Sequence, residues 1–220
     1  MLVNPTRPNA IDYMAFLYGN VLIPPVELPS QTGTATGGST TTVVDTSQSW
    51  NLDVWDGYGV VDYTKSQRPS WISSNNNNTA TFVPALPVAV SAGDLYLIAP
   101  AVVFTSLWVA LDIVNTALAV SSCHLYTLAV YNLAADRLIN YAPDQPNQTY
   151  FSDIRDNLKI MLPRVGVPSA SSDNGTAIGI LNPEFMKNLT LRDLQTLKTP
   201  YGRAYMEIAL DYGPNLWGIN

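Results

Sequence analysis

The stretch GTATGGSTTTVVDTSQSWNLDVWDGYGVVDY, residues 33–63, decides how the rest of the chain is read. It mixes β-branched and aromatic residues with Gly and Asp punctuation, the texture of short strands joined by turns. The same texture fills residues 30–98. A third strand, Thr79–Val83, follows the turn Asn75–Asn78, and a fourth, Asp94–Ile98, follows the signal Ser91-Ala92-Gly93. Strands about ten residues apart with turns between them predict a small antiparallel barrel or sandwich. Trp50, Trp55, Tyr58 and Val60 are its natural core or face residues.

On both sides the period changes to that of helices. Residues 9–22 place Ile11, Met14, Phe16, Leu17 and Tyr18 at near-helical spacing, with Asn9 as the cap, and Pro24, Pro25 and Pro29 end the helix. From Ala101 to Ala119 an apolar stripe runs through Val103, Leu107, Ala110, Leu111, Val114 and Leu118. A further helix is expected from Ser121 or Ser122 to about Ala142, with Leu125, Leu128, Ala129, Leu133 and Leu138 inward. Thr149 or Ser152 caps another across residues 151–162. Residues 164–188 read as a long Ser-, Gly-, Asn- and Pro-rich loop. Thr190 with Asp193 resembles a capping box, and Thr199-Pro200 starts the last helix, which Gly213-Pro214 halts. The expected class is α+β: a helical bundle host, residues 1–29 plus 99–220, with an inserted small antiparallel β-barrel or sandwich module over 30–98.

The 220 residues are 47% hydrophobic and only 13% charged. That is apolar enough to exclude global disorder, and the charge fraction is low for the surface of a free monomer. Surface covered by neighbouring subunits loses charge and gains aromatics, which suits five Trp and twelve Tyr. The net charge of −6 argues against a protein that grips nucleic acid, since no basic residue lies between Arg68 and Arg137. An acidic wall instead suits a surface that nucleic acid slides past. Cys123 is alone, so no internal disulfide forms. The opening MLVNPTRPNAIDYMAF lacks a secretory pattern. The apolar stretch 95–111 holds Pro100 and has no flanking basic anchors, so it reads as a buried helix rather than a membrane span.

Sites of chemistry are absent from the pattern. Cys123 and His124 are adjacent, so on a helix they diverge by ~100° and do not converge on a metal. The pairs Asp53/Asp56 and Asp153/Asp156 are explained by turn chemistry and helix N-terminal charge. Gly37-Gly38 and Gly57-Tyr58-Gly59 precede no Lys-Ser/Thr pair and are not phosphate loops. Trp50, Trp55, Tyr58, Tyr63 and Trp71 offer a sugar-stacking face, with a module core as the plainer explanation. No catalytic residue, metal ligand or cofactor is assigned.

The segments HLYTLAVYNLAADRLINYAPD (124–144) and LTLRDLQTLKTPYGRAYMEIALDYGP (189–214) resemble tailed-bacteriophage neck proteins of the head–tail adaptor or head-completion type. The likeness rests on Tyr131, Asn132, Asp136 and Arg137, and on Leu194, Thr199, Pro200, Tyr201, Gly202, Arg203 and Tyr205. Residues 33–63 resemble a β-module that recurs in phage structural proteins, through Ser49-Trp50 and Trp55-Asp56-Gly57-Tyr58. Together these stretches cover roughly half the chain, and plain helical adaptors lack the β-insert. The resemblance implies an adaptor-like host and a virion protein assembled in the host cytoplasm. It further implies a homo-oligomeric ring, commonly of about twelve copies, beneath a portal protein and above a tail or stopper protein. Packaged DNA would pass through without specific binding, and no membrane is involved. Expected contact residues are Tyr201, Arg203, Tyr205, Trp217, Ile219, Val167, Ile178 and Ile180. The alternative is a tail or capsid accessory protein whose aromatic module binds a glycan or another virion protein. A third reading, a hydrolase, rests on the Asp pairs alone.

Overall fold

A computed structural model describes residues 7–65, 68–146, 148–160, 167–171, 178–181 and 195–212. The first element is helix α1, Ala10–Gly19, capped as expected by the Asn9 side chain, which accepts from the Asp12 amide at 2.9 Å. Seven strands follow: β1 Gln31–Thr34, β2 Gly37–Gly38, β3 Thr42–Val44, β4 Tyr58–Asp62, β5 Ser70–Asn75, β6 Thr79–Val83 and β7 Leu95–Pro100. They pair antiparallel in the order β1-β7-β4-β5-β6-β3-β2. The two edge strands are consecutive pieces of chain. Between them the Ala35 amide donates to Asp94 O and the Thr36 amide to Val44 O, so residues 31–38 reach from β7 to β3.

Helices α2 Ala101–Ile113, α3 Ala117–Ser121, α4 Cys123–Tyr141, α5 Tyr150–Asn157 and α6 Pro200–Tyr212 complete the described helices. A separate two-stranded sheet pairs β8 Val167–Ser171 with β9 Ile178–Leu181. The expected helical bundle host with a β-insert is therefore corrected. The chain is mixed α/β, with a seven-stranded antiparallel half-barrel sheet and six helices among the described residues. The physical reason lies in the two-residue alternation along the strands. Val60, Tyr96, Ile98, Ile72, Phe82, Ala80 and Val43 fill the core inside the curl, and Trp50, Leu86 and Val90 join them. Val61, Leu97 and Ala99 point the other way and share a core with α1, α2, α4 and α5. The helices thus bury themselves on the sheet as well as on one another.

Two glycines let this layer close. A Cβ at Gly59 would overlap the Phe104 ring of α2, and one at Gly33 would overlap the Tyr96 phenol. Tyr96 Oη donates to Asp45 Oδ2 at 2.7 Å inside the curl. Burial opposes ionisation of Asp45, but donors from Ser47, Tyr96 and Gln48 bring its carboxyl below the usual range.

Several local expectations are refined. Strand Thr79–Val83 forms as expected, β7 starts one residue late at Leu95, and β5 forms where no strand was expected. Residues 52–57 are turns; the Asn75 side chain holds them, accepting from the Trp55 amide and donating to Asn51 O. The expected helix 101–119 breaks at Val114, which turns extended, and the Asn115 carboxamide accepts from the Ala117 amide to start α3. Thr149 stands at the N-cap of α5 as one of the two expected residues, but its side chain accepts no amide; Asp144 does so instead, accepting from the Phe151 and Ser152 amides at 2.6 and 3.2 Å. Residues 164–188 contain the β8–β9 hairpin, so this segment is not wholly loop. The capping box at Thr190 and Asp193 lies outside the described residues.

Candidate functional site

Helix α4 is the centre of the helical layer, touching α1, α2, α3, α5 and α6. Ser122 caps it through the Leu125 amide. From Ala129 onward it is buried on nearly every side, more fully than its leucine stripe indicates. Tyr131 fixes α1 to it: its hydroxyl accepts from the Asn9 amide at 3.0 Å and its ring lies 5.5 Å from Tyr13. Tyr13 in turn shares a hydrogen bond with Ser106 of α2 at 3.2 Å.

The crossing of α4 and α6 carries the residues behind the neck-protein resemblance. Thr199 caps α6 by accepting from the Gly202 amide at 2.8 Å, and donates its hydroxyl to Asp136 Oδ1 at 2.6 Å. Asn140 adds a donor to the same oxygen at 3.2 Å, and Gln195 donates to Asn140 at 2.9 Å. Burial pushes the Asp136 carboxyl up to about 6, against the pull of Thr199, Arg137 and Asn140. Gly202 sits where a Cβ would overlap the Thr196 carbonyl, so only glycine allows this approach. The buried Asp136 carboxylate, gripped by Thr199 and Asn140, ties α6 to α4.

The expected contact residues separate into three groups. Tyr201 is half-buried and reaches Val21 O at 3.4 Å, Tyr205 packs on the same core, and Arg203 is exposed and donates to Leu197 O at 3.1 Å. Val167, Ile178 and Ile180 lie on the β8–β9 hairpin, where Val167 pairs with Leu181 and Ile178 with Ser171. Trp217 and Ile219 lie outside the described residues.

Tyr201 lines a feature the sequence did not announce. Val21, Ile139, Ile154, Leu158 and Pro200 join it around an apolar groove of about 230 Å³. The signal available was Ile154 on α5 and Leu158 at its C-cap, one turn apart and only half-buried. Leu22, next in sequence to Val21, is 72% exposed with φ of 59°, a backbone region unfavourable for leucine. A second, larger cleft of about 690 Å³ is bordered by Arg7, Tyr63, Lys65, Leu111, Cys123 and Tyr126. Its Lys65 is already committed to Asp94 and to Ser91 Oγ.

The other sequence candidates stay apart. Cys123 and His124 are exposed at the start of α4. Asp53 accepts from the Asn75 amide of β5, and Asp153 accepts from the Thr149 hydroxyl one turn before it. Of the aromatic face, Trp50 is buried while Trp55 and Tyr58 pack on the inner core. Trp71 is 37% exposed beside its cross-strand partner Val83. Among the described residues no cluster of three metal-ligating side chains occurs, and no helix is long and apolar enough to cross a membrane. No family model, curated protein or solved structure matches this chain.

Proposed function

We propose that this chain is a structural subunit of a tailed-bacteriophage virion, a head-to-tail adaptor that assembles into a ring between portal and tail and lets DNA pass. The observation that carries the reading is apolar surface left in water by the helical elements and their connections. Leu22, Val120, Tyr141 and Leu210 are 72, 90, 69 and 57% exposed, in a chain only 13% charged. Such surface is what association covers. The resemblance of residues 124–144 and 189–214 to neck proteins supports the same reading, and the helices α4 and α6 within them pack together. A net charge of −6 favours a wall that DNA does not stick to.

Ring subunits join head to tail through two different surfaces, and the contact closes when the rotation allows. The test is sedimentation of the purified full chain, together with mass spectrometry of purified virions. A ring-sized species, and the chain present in virions at several copies per particle, is the expected result. A strictly monomeric protein missing from particles overturns the proposal. Glycan binding is less favoured, because the core consumes most of the aromatic face.

A further inference from the structure

We infer that the cleft between the turn after β4 and helices α2, α3 and α4 binds a small organic anion, an apolar body carrying a carboxylate or phosphate group that Arg7 holds. The inference stands apart from the ring reading and does not depend on it. At about 690 Å³ the cleft has the size of a small-molecule site. Charge singles it out. The whole chain carries 17 acidic against 11 basic residues, yet the described lining holds Arg7 and Lys65 and no carboxylate.

The two cations differ. Lys65 is neutralised by Asp94 and also donates to Ala89 O at 3.0 Å and to Ser91 Oγ at 2.7 Å. The Arg7 guanidinium is exposed and forms no ion pair or hydrogen bond among the described residues. Its backbone is placed by the cap of α1: Asn9 Nδ2 donates to Arg7 O at 3.4 Å, and the Asn9 amide is held by Tyr131. A guanidinium grips carboxylate and phosphate alike through paired N–H donors. The turn after β4 is fixed as well, because Asp62 Oδ1 accepts from the Thr64 and Lys65 amides at 3.0 and 3.2 Å. Burial raises the Tyr63 and Tyr126 phenols above their usual range, so at neutral pH both keep a proton to donate to an anion. Their rings, with Leu111, Ala119 and Pro8, supply the apolar contact for the body of the ligand.

Cys123 stands in the lining and is the chain's one cysteine, so its alkylation by iodoacetamide reports whether the cleft is filled. The test titrates the full chain with phenyl phosphate, benzoate, inorganic phosphate and uncharged benzamide, followed by calorimetry and by the alkylation rate. Saturable binding of phenyl phosphate or benzoate is expected, with Cys123 alkylation slowed severalfold at saturation. The tighter of the two identifies the charged group. Arg7→Met, checked for folding by circular dichroism, should weaken that binding about tenfold, the loss typical of a hydrogen bond to a charged group. The inference is overturned if neither aromatic anion saturates the protein by ~10 mM, or if Arg7→Met binds like the wild type. Equal binding of benzamide or of inorganic phosphate also overturns it, since either the charge or the apolar body would then play no part. Binding that leaves Cys123 alkylation unchanged lies elsewhere and overturns it too.

Discussion

At the scale of single residues, Asp136 sets a measurable pH dependence. Its carboxyl is pushed up to about 6 by burial, from an ordinary value of 3.8. The folded chain therefore holds this proton more tightly than the unfolded one. The stability it contributes is full below about pH 4 and is lost as pH rises through 6, an effect of at most ~3 kcal/mol. Asp45, Asp94 and Asp144 are held low and lose their contribution only below the ordinary range. Glu27 and Asp62 are raised and act in the same direction as Asp136, so a difference measurement is needed. Asp136→Asn should flatten the decline in chemical-denaturation stability between pH 4 and 7 relative to the wild type. Parallel profiles would count against this account. Gly202→Ala is expected to cost about 3 kcal/mol by forcing α6 away from the Thr196 carbonyl, read as a fall in thermal midpoint.

At the scale of elements, helix starts were legible and strand bounds were less so. Asn9, Ser122 and Thr199 announce their helices because a cap is a local bond within three residues of sequence. The Asp144 side chain was not legible as the acceptor for the first amides of α5, since it reaches forward seven residues. Strand β5, SWISSN, carries few β-branched residues; it forms because β4 and β6 flank it and Asn75 ties down the turns before β4. The sheet's role as floor for the helices was hidden for a similar reason. Val61, Leu97 and Ala99 read as ordinary strand residues until their partners in α1 and α2 are known. Inside the curl, Tyr96 of β7 is fastened to Asp45, the residue after β3. Tyr96→Phe should lower stability by ~1–3 kcal/mol, because the buried Asp45 carboxylate loses a donor. An unchanged denaturation midpoint would show that Ser47 and Gln48 suffice.

At the scale of the whole molecule, the proposed ring makes the α6 surface matter more to particles than to the chain itself. Tyr201→Ala and Arg203→Ala should leave soluble, folded protein but reduce completed particles, scored as plaque yield. Normal yields from both would remove that expectation. Of the candidate site, Tyr201, Arg203 and Tyr205 were expected from the resemblance, whereas the groove was not. Val21, Ile139, Ile154 and Tyr201 come from four separated segments, and no spacing rule joins them.

The connection between sheet and helices has its own consequence. Strand β7 ends at Pro100 and α2 begins at Ala101, while on the other side the Tyr18 hydroxyl bonds to Leu28 O and Ser30 Oγ. A graft of residues 30–98 into a foreign host would cut through both stitches and strip the Phe104 ring from Gly59. Any exchange of this barrel between genomes has to carry its helical floor along with it.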